Sequence, residues 1–317
     1  MKKEDVIKWA ENAMSSCALC PRQCMALRSQ KKRGYCRMTD DIIVSRAALH
    51  MWEEPCISGS QGSGTVFFAG CNMGCVYCQN YKISGGASVG CDLGRKVSPD
   101  ELAEIFLKLQ EKGASNINLV TPTHYMAQIS YSLCLAKDRG LRIPVVYNSG
   151  GYERVESLRY LDGFVDVYLP DFKYNSAERA ARYSNAPDYP EVAKNALDEM
   201  FRQVGDIVID DGTGLIKKGM IVRHLVLPDT NRDTKQILRY LHERYGDSIY
   251  VSLMRQYTPI REQQADFPEL LERVSDEQYD RCVSFAERIG MENVFIQEAN
   301  AATDEFIPDF GSSFICQ

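Results

Sequence analysis

The sequence predicts an α/β fold, a partial TIM-like (β/α)6 barrel behind a cysteine-rich N-terminal extension. Six short apolar runs, rich in Val, Ile, Tyr and Leu, fit buried parallel strands; they are residues 65–69, 116–120, 143–147, 165–169, 220–227 and 249–253. Amphipathic stretches alternate with these runs, and that alternation predicts right-handed βαβ units, in a barrel or a doubly wound sheet. Six repeats favour the partial barrel.

The remaining elements follow in chain order. A helix is predicted over residues 3–14, followed by an irregular segment rich in Cys, Pro and Arg. Helical patterns cover residues 99–110, 234–245 and 276–289, and Ser98 is a suitable N-cap before a proline at the first helical position. Residues 294–297 fit a seventh strand or an edge. We therefore divide the chain into an N-terminal segment, 1–60, and a barrel with a C-terminal extension, 61–317.

Composition excludes several classes of protein. The net charge is −6 and no basic run resembles a nucleic-acid-binding tail, so no nucleic-acid partner is expected. No window approaches 18 uninterrupted apolar residues, so no membrane span is predicted. The N-terminus leads into a charged amphipathic stretch instead of a signal peptide, which predicts a cytoplasmic protein.

Twelve cysteines are unusual for a cytoplasmic chain of 317 residues. Because the cytoplasm is reducing, they favour metal binding over disulfides. They form two groups, one over residues 17–36 and one over 71–78. The five other cysteines are not spaced as metal ligands. Cys56, Cys134 and Cys282 are interpreted as buried structural thiols, and Cys91 and Cys316 are assigned no role.

The second group has the spacing of a catalytic iron–sulfur site. Cys71, Cys75 and Cys78 follow the first barrel strand as C-x3-C-x2-C, so three thiolates can bind three irons of a cubane and leave the fourth iron open. Gly70 and Gly74 allow the loop to curl around a cluster. A zinc site requires a fourth ligand, a ferredoxin requires a fourth cysteine close by, and buried structural thiols would not need this spacing.

This motif resembles the signature of the radical S-adenosylmethionine (SAM) superfamily, C-x3-C-x-aromatic-C, in which Tyr77 is the aromatic residue. More narrowly, the chain resembles the pyruvate formate-lyase-activating-enzyme-like subgroup. The resemblance rests on the Cys-Asn and Val-Tyr-Cys-Gln-Asn context of the motif and on residues 17–36, 62–65 and 120–125. It therefore covers nearly the whole chain.

The resemblance implies a reaction and its cofactors. The amino and carboxylate groups of SAM would chelate the open iron of a 4Fe-4S cluster, and electron transfer would release a 5′-deoxyadenosyl radical for hydrogen abstraction. The acceptor stays open: it is a glycine of a partner protein, as in the activation of glycyl radical enzymes, or a small molecule or peptide. An electron donor such as flavodoxin or ferredoxin is implied.

The strand ends supply candidates for SAM binding. Where the family usually has Gly-Gly-Glu, this sequence has Thr121-Pro122-Thr123-His124. Thr121 and Thr123 are therefore the candidates for binding the methionyl amino group, although a hydroxyl binds an ammonium group less strongly than a carboxylate does. Asn148 and Ser149 resemble a family turn near the cofactor, although a glycine-rich βα turn explains them equally well.

Later strand ends carry charged candidates. Asp171-Phe172-Lys173 resembles an Asp-x-Lys element of the activating enzymes, in which Lys173 would pair with the methionine carboxylate and Asp171 would orient that lysine or bind a monovalent cation. Arg223 lies in an apolar strand and needs a partner, which is either SAM or an acid such as Asp171 at a strand end. Weaker candidates are Gln256 as a cofactor contact and His124 and Tyr257 as substrate contacts.

The first cysteine group predicts a second metal site. Cys17, Cys20, Cys24 and Cys36 offer four thiolates on a short, turn-rich segment. They can hold zinc or a second iron–sulfur cluster, and disulfides after aerobic handling are a further alternative. Thiol redox catalysis by Cys17 and Cys20 is disfavoured because the motif continues into two more cysteines.

A different class of function is also open. The chain can be a non-catalytic iron–sulfur protein that transfers electrons, provided that Cys36 or Cys56 supplies a fourth cluster ligand. Such a protein would not respond to SAM.

Overall fold

The computed structural model describes residues 3–85, 94–260 and 264–297 of the chain. Four residues without an assigned role lie outside these ranges: Cys91, Glu298, Asn300 and Cys316.

The described residues form one large, mostly parallel sheet. Its strands are β1 (Ile42–His50), β2 (Ser63–Phe68), β3 (Arg95–Val97), β4 (Ile117–Val120), β5 (Val145–Ser149), β6 (Val167–Pro170), β7 (Val208–Ile209), β8 (Ile216–Leu225), β9 (Tyr250–Met254) and β10 (Val294–Ile296). Their order is β10-β9-β8-β6-β5-β4-β2-β1-β3, and β7 pairs with β8 outside this path. Within the described part, β3 and β10 end the sheet on opposite sides, so the barrel is not closed. The predicted partial barrel is confirmed.

The parallel strands correspond to the seven apolar runs of the sequence. β2, β4, β5, β6, β8, β9 and β10 pair in parallel, as βαβ units require. Every residue of β4 and β6 is buried, since helices and the barrel interior cover both faces. The carboxyl ends of these strands meet at one end of the barrel, and the site lies there.

Helices connect the strands. They are α1 (Lys3–Ser15), α2 (Pro55–Ser58), α3 (Tyr81–Ser84), α4 (Pro99–Glu111), α5 (Met126–Asp138), α6 (Val155–Leu158), α7 (Ala177–Ser184), α8 (Tyr189–Val204), α9 (Asn231–Tyr245) and α10 (Asp276–Arg288). The four helices predicted from the sequence agree with these bounds to within one turn. The predicted cap of α4 is a full capping box, in which Ser98 and Glu101 satisfy each other's backbone N–H groups.

β1 differs from the prediction. Residues 42–50 were expected to be irregular, yet they form an antiparallel strand between β2 and β3. A register shift between Val44 and Arg46 breaks the strict alternation of buried and exposed positions, which hides the strand from a pattern search. β1 is hydrogen-bonded into the barrel sheet, and a chain division at residue 60 stays a prediction.

In the described ranges, no helix has the length and apolar character needed to cross a membrane.

Candidate active site

The loop that follows β2 carries the three-cysteine motif. It begins at Gly70, whose φ of +84° is in the left-handed region. A Cβ at this position would collide with Met38 and would lie 2.7 Å from the carbonyl oxygen of Cys36. Only glycine therefore fits, and the loop packs directly on the N-terminal segment.

The three cysteines line one cavity of about 420 Å³. The Met73 N–H donates to the sulfur of Cys71 at 3.3 Å, and the Ser184 hydroxyl donates to the sulfur of Cys75 at 2.9 Å. Such hydrogen bonds stabilise thiolates that ligate a metal. Burial, together with the neighbouring cysteines, raises the pKa of Cys71 to about 12, so metal binding must displace a proton there.

Within the described ranges, no three His, Cys, Asp or Glu side chains stand close enough together to chelate one metal ion. A cubane distributes its thiolates over separate irons, so its ligands do not have to converge on one point.

Arg22 supports the cluster loop from outside. Its guanidinium donates to the carbonyl oxygens of Asn72 at 2.9 Å, Met73 at 3.3 Å and Ser184 at 3.0 Å, and it also contacts the carbonyl of Asn185. In the sequence, Arg22 is marked only by its position between Cys20 and Cys24. A planar group with five donors can serve several carbonyls at once, so this arginine fixes the loop conformation.

Most cofactor candidates from the sequence line the same cavity. The structure brings together, around the three cysteines, Tyr77, Thr121, Asn148, Ser149, Asp171, Lys173, Arg223 and Gln256. Three other candidates are not among the residues that line it: Thr123, His124 and Tyr257.

Thr121 has a strained backbone. Its φ is +59°, a conformation that β-branched residues rarely adopt and that costs about 1–3 kcal/mol. Its N–H donates to the carbonyl oxygen of Asn148 at 2.9 Å, which joins the ends of β4 and β5. Strain of this kind concentrates at functional sites, in agreement with a role at the cavity.

Lys173 and Asp171 form an ion pair on the cavity wall, with 2.5 Å between Nζ and Oδ2. Burial alone would favour a neutral amine, but the Asp171 carboxylate raises the pKa of Lys173 well above its ordinary value. The Tyr189 hydroxyl accepts from the Lys173 N–H and donates to the carbonyl oxygens of Gly150 and Asp171. Lys173 is therefore a fixed cation at the end of β6.

Arg223 pairs with two adjacent acids. Its Nε lies 2.8 Å from Oε1 of Glu54, and its Nη2 contacts both Glu54 and Glu53. Burial acts to raise the pKa of Glu54, but the Arg223 guanidinium holds it below its ordinary value. Of the two partners that the sequence left open, an acid is present, but it is not Asp171. A SAM contact by Arg223 stays a prediction.

Tyrosines surround the motif. The Tyr77 ring lies 6.3–6.5 Å from those of Tyr174, Tyr183 and Tyr257 in edge-on contacts. The Tyr257 hydroxyl donates to the Leu270 carbonyl oxygen at 2.5 Å, so it is engaged in the core. Its role as a substrate contact has no support from the cavity lining.

His124 is also turned away from the cavity lining. It is 1% exposed, and its Nε2 lies 2.7 Å from the carbonyl oxygen of Ala69. Burial lowers the pKa of His124 to about 3, so the ring is neutral. A substrate contact by this residue stays a prediction.

Sequence reasoning missed Glu153, a buried acid behind the strand ends. It accepts a hydrogen bond from the Thr123 hydroxyl at 2.9 Å, while its Oε2 has no partner among the described residues. Burial raises its pKa to about 7, and Asp171 adds to this whereas Lys173 opposes it. No local signal marks this position, since Glu153 follows an ordinary glycine turn.

The first cysteine group is partly buried: Cys17, Cys20 and Cys36 are buried and Cys24 is exposed. The cysteines interpreted as structural lie in or against apolar clusters: Cys56, Cys134 and Cys282.

These residues fit the implied cofactors. Three soft thiolates, a fixed cation and several oxygen and amide groups surround a cavity of the size that holds one small ligand. The sequence matches the Radical SAM superfamily over residues 65–254, which is more than half of the chain. The chain belongs to the Radical SAM superfamily, whose members use a 4Fe-4S cluster and SAM. Both predicted cofactors are thereby confirmed.

Two relatives come from Methanocaldococcus jannaschii. The chain is 29% identical to the uncharacterized protein MJ0674 over 294 residues, covering 91% of this chain and 79% of the relative. It is 23% identical to the uncharacterized protein MJ0808 over 254 residues, covering 72% and 71%. Neither name describes an activity, so the activating-enzyme-like subgroup stays a prediction.

Two solved structures are similar at a distance. Streptococcus suis SuiB, crystallised with its precursor peptide SuiA, has a TM-score of 0.49 at 11% identity, over 73% of this chain and 47% of SuiB. Methylornithine synthase (PylB) has a TM-score of 0.47 at 12% identity, over 90% of this chain and 70% of PylB. The chain thus spans about half the length of SuiB.

Proposed function

We propose that this chain abstracts a hydrogen atom from a small amine- or hydroxyl-bearing molecule held in the barrel cavity. The observation that carries the proposal is the buried ionic group of Glu53, Glu54 and Arg223, which lines the same cavity as the three cysteines. Two carboxylates and one guanidinium are costly to bury, and they add charged groups that can recognise a polar ligand.

Once bound and given one electron by an external donor, a 4Fe-4S cluster and SAM would supply methionine and a 5′-deoxyadenosyl radical that abstracts the hydrogen atom. We assign Cys71, Cys75 and Cys78 to the cluster. Lys173 pairs with the methionine carboxylate, and Asp171 orients the ammonium group of Lys173.

The remaining cofactor contacts are polar. Thr121, Asn148 and Ser149 offer hydroxyl and amide groups at the ends of β4 and β5. Gln256 accepts from Gln297 at 3.1 Å, so its amide is already oriented beside the cavity and suits a ribose. Tyr77, within the three-cysteine motif, also lines the cavity.

The substrate end is defined by acceptors. Asn118 is not among the residues that line the cavity, but it donates to Oε1 of Glu53 at 2.8 Å and so orients a carboxylate that is. A carboxylate that lines the cavity favours a ligand that brings a donor, because hydrogen bonds to a charged acceptor are stronger than those between neutral groups. An amine or hydroxyl group meets this requirement.

The competing acceptor is a glycine of a partner protein. The two are distinguished by measuring 5′-deoxyadenosine formation, with ferredoxin or flavodoxin as reductant, in the presence of fractionated cell extract. A filtrate of small molecules should stimulate SAM cleavage by the wild type. Stimulation by the macromolecular fraction alone, with a glycyl radical signal in that fraction, would replace the small-molecule proposal.

The ionic group is tested with matched variants. Glu53→Gln should abolish stimulation by the filtrate, because it removes the charged acceptor beside Asn118. Glu178→Gln, at an exposed position of α7, is the control and should respond as the wild type does. Equal stimulation of both variants would show that Glu53 does not contact the substrate.

A further inference from the structure

The four N-terminal cysteines lie in one region of the folded chain, although their side chains do not converge as closely as a single bound ion would require. A Cβ on Gly34 would lie 2.8 Å from the sulfur of Cys24 and 3.9 Å from that of Cys36, so both sulfurs flank the same glycine. Cys20 lies within electrostatic range of the other three thiols. Backbone hydrogen bonds of 3.0 Å fix Cys17 against residues 25 and 26.

A buried cation stands beside these thiols. Arg28 is 0% exposed, and its guanidinium donates to the carbonyl oxygens of Thr39, at 2.7 and 2.9 Å, and of His124, at 2.5 Å. It also lies 3.7 Å from the sulfur of Cys17. These partners satisfy the hydrogen bonds of the guanidinium. They are carbonyl groups and a neutral thiol, so none of them carries a negative charge.

Among the residues that the structure describes, Arg28 has no carboxylate as a counter-charge. In the part of the chain that the structure describes, no carboxylate forms a salt bridge with it. The acidic groups that act on it electrostatically are Cys36, Cys17 and Tyr125. An arginine is always charged, and an unpaired buried charge is strongly unfavourable. Thiolates on a metal would resolve this imbalance.

We propose that Cys17, Cys20, Cys24 and Cys36 ligate a second metal centre, for which Arg28 is the buried counter-charge. Four thiolates bind either one zinc ion or a second iron–sulfur cluster, and both assemblies carry a net negative charge. Zinc would draw the four sulfurs to one point, whereas a cluster would hold them further apart.

The centre would adjoin the catalytic loop. Cys36 lies against the loop, since a Cβ added at Gly70 would be 2.7 Å from the Cys36 carbonyl oxygen. The Tyr35 hydroxyl donates to the Met73 carbonyl oxygen of the same loop at 3.4 Å. Arg22, between Cys20 and Cys24, holds the carbonyls of the same loop. A metal at the four cysteines would therefore stiffen the support of the first cluster, whatever the substrate.

The first test isolates the second site by removing the first. The triple variant Cys71→Ala/Cys75→Ala/Cys78→Ala is purified anaerobically and offered zinc, or iron with sulfide, and metal and sulfide per chain are measured. Retention of about one zinc or about four irons supports the proposal. That metal should disappear when Cys17→Ala/Cys20→Ala is added but remain with Cys56→Ala/Cys134→Ala. A folded triple variant that binds neither metal overturns the proposal.

A second test needs no variant. Cys24 is exposed, so as a free thiol it should react readily with iodoacetamide under native conditions. We expect peptide mass spectrometry to show Cys24 protected in protein loaded with iron and sulfide or with zinc, and alkylated after a chelator strips the metal. Equal alkylation of the loaded and stripped samples would overturn the proposal.

The role of Arg28 is tested by charge. Arg28→Met should weaken metal retention at the second site by about 10- to 100-fold in competition with a chelator, as the loss of a group that supports metal ligands does. Arg28→Lys keeps the charge and should recover part of this loss. Equal retention by the wild type and both variants would show that Arg28 is not the counter-charge.

Discussion

Replacing Glu153 by glutamine should stabilise the protein at pH 8 and change its stability much less at pH 5. Glu153 is 1% exposed, and one of its carboxylate oxygens has no partner among the described residues. Glutamine keeps the shape and can still accept from the Thr123 hydroxyl. It removes only the charge that burial disfavours.

The magnitude follows from the pKa. A rise from the ordinary value of 4.5 to about 7 corresponds to about 3 kcal/mol of preference for the neutral form. Because the folded state binds the proton more tightly than the unfolded state, the contribution is fully present below pH 4.5 and is lost as the pH rises through 7. The advantage of Glu153→Gln should therefore grow across this window and become constant above it.

The assay is urea unfolding of anaerobically prepared wild type and Glu153→Gln at several pH values from 5 to 8. Taking the difference between the two proteins cancels the titration of all other groups. Glu191→Gln, at an exposed position of α8, is the control and should differ from the wild type by no more than about 0.5 kcal/mol at every pH. A difference for Glu153→Gln that does not vary with pH would show that folding does not raise the pKa of Glu153.

Three further substitutions test the site. Arg223→Met should lower the free energy of unfolding, measured in urea, by about 3–5 kcal/mol, because Glu53 and Glu54 would stay buried without a counter-charge. Adding Glu53→Gln/Glu54→Gln should recover most of this loss, and no recovery would contradict the pairing. Thr121→Gly should raise the free energy of unfolding by about 1 kcal/mol, because glycine adopts a positive φ without strain. The same substitution should weaken SAM binding in equilibrium dialysis, and unchanged binding would show that Thr121 does not contact the cofactor. Arg22→Gln should lower the iron retained per chain after reconstitution, and Arg22→Lys should recover only part, since an ammonium group cannot replace the guanidinium fork; full retention by Arg22→Gln would show that the loop needs no such support.

The regular part of the fold could be predicted from the sequence. Buried parallel strands leave near-continuous apolar runs, and all seven runs are strands in the structure. β1 could not be predicted, because its bulge breaks the periodicity on which such predictions depend. The N-cap at Ser98 could be predicted because its signal is local, whereas its reciprocal partner Glu101 was identified only in the structure.

The candidate site also contains residues that the sequence reveals and residues that only the structure reveals. Cys71, Cys75 and Cys78 could be identified because their spacing is contiguous in the sequence. The partners of Arg223 could not, because Glu54 is 169 positions away and only the fold joins them. Glu153 was missed because its perturbation arises from burial, which a single sequence does not specify locally.

We assign to Cys71, Cys75 and Cys78 a cluster that cleaves SAM reductively. The direct measurement is 5′-deoxyadenosine formed by anaerobically reconstituted protein with SAM and dithionite. We predict product from the wild type and from Cys134→Ala, and none from Cys75→Ala. A wild type that holds its cluster but forms no 5′-deoxyadenosine even with this strong reductant would contradict the account and favour an electron-transfer protein.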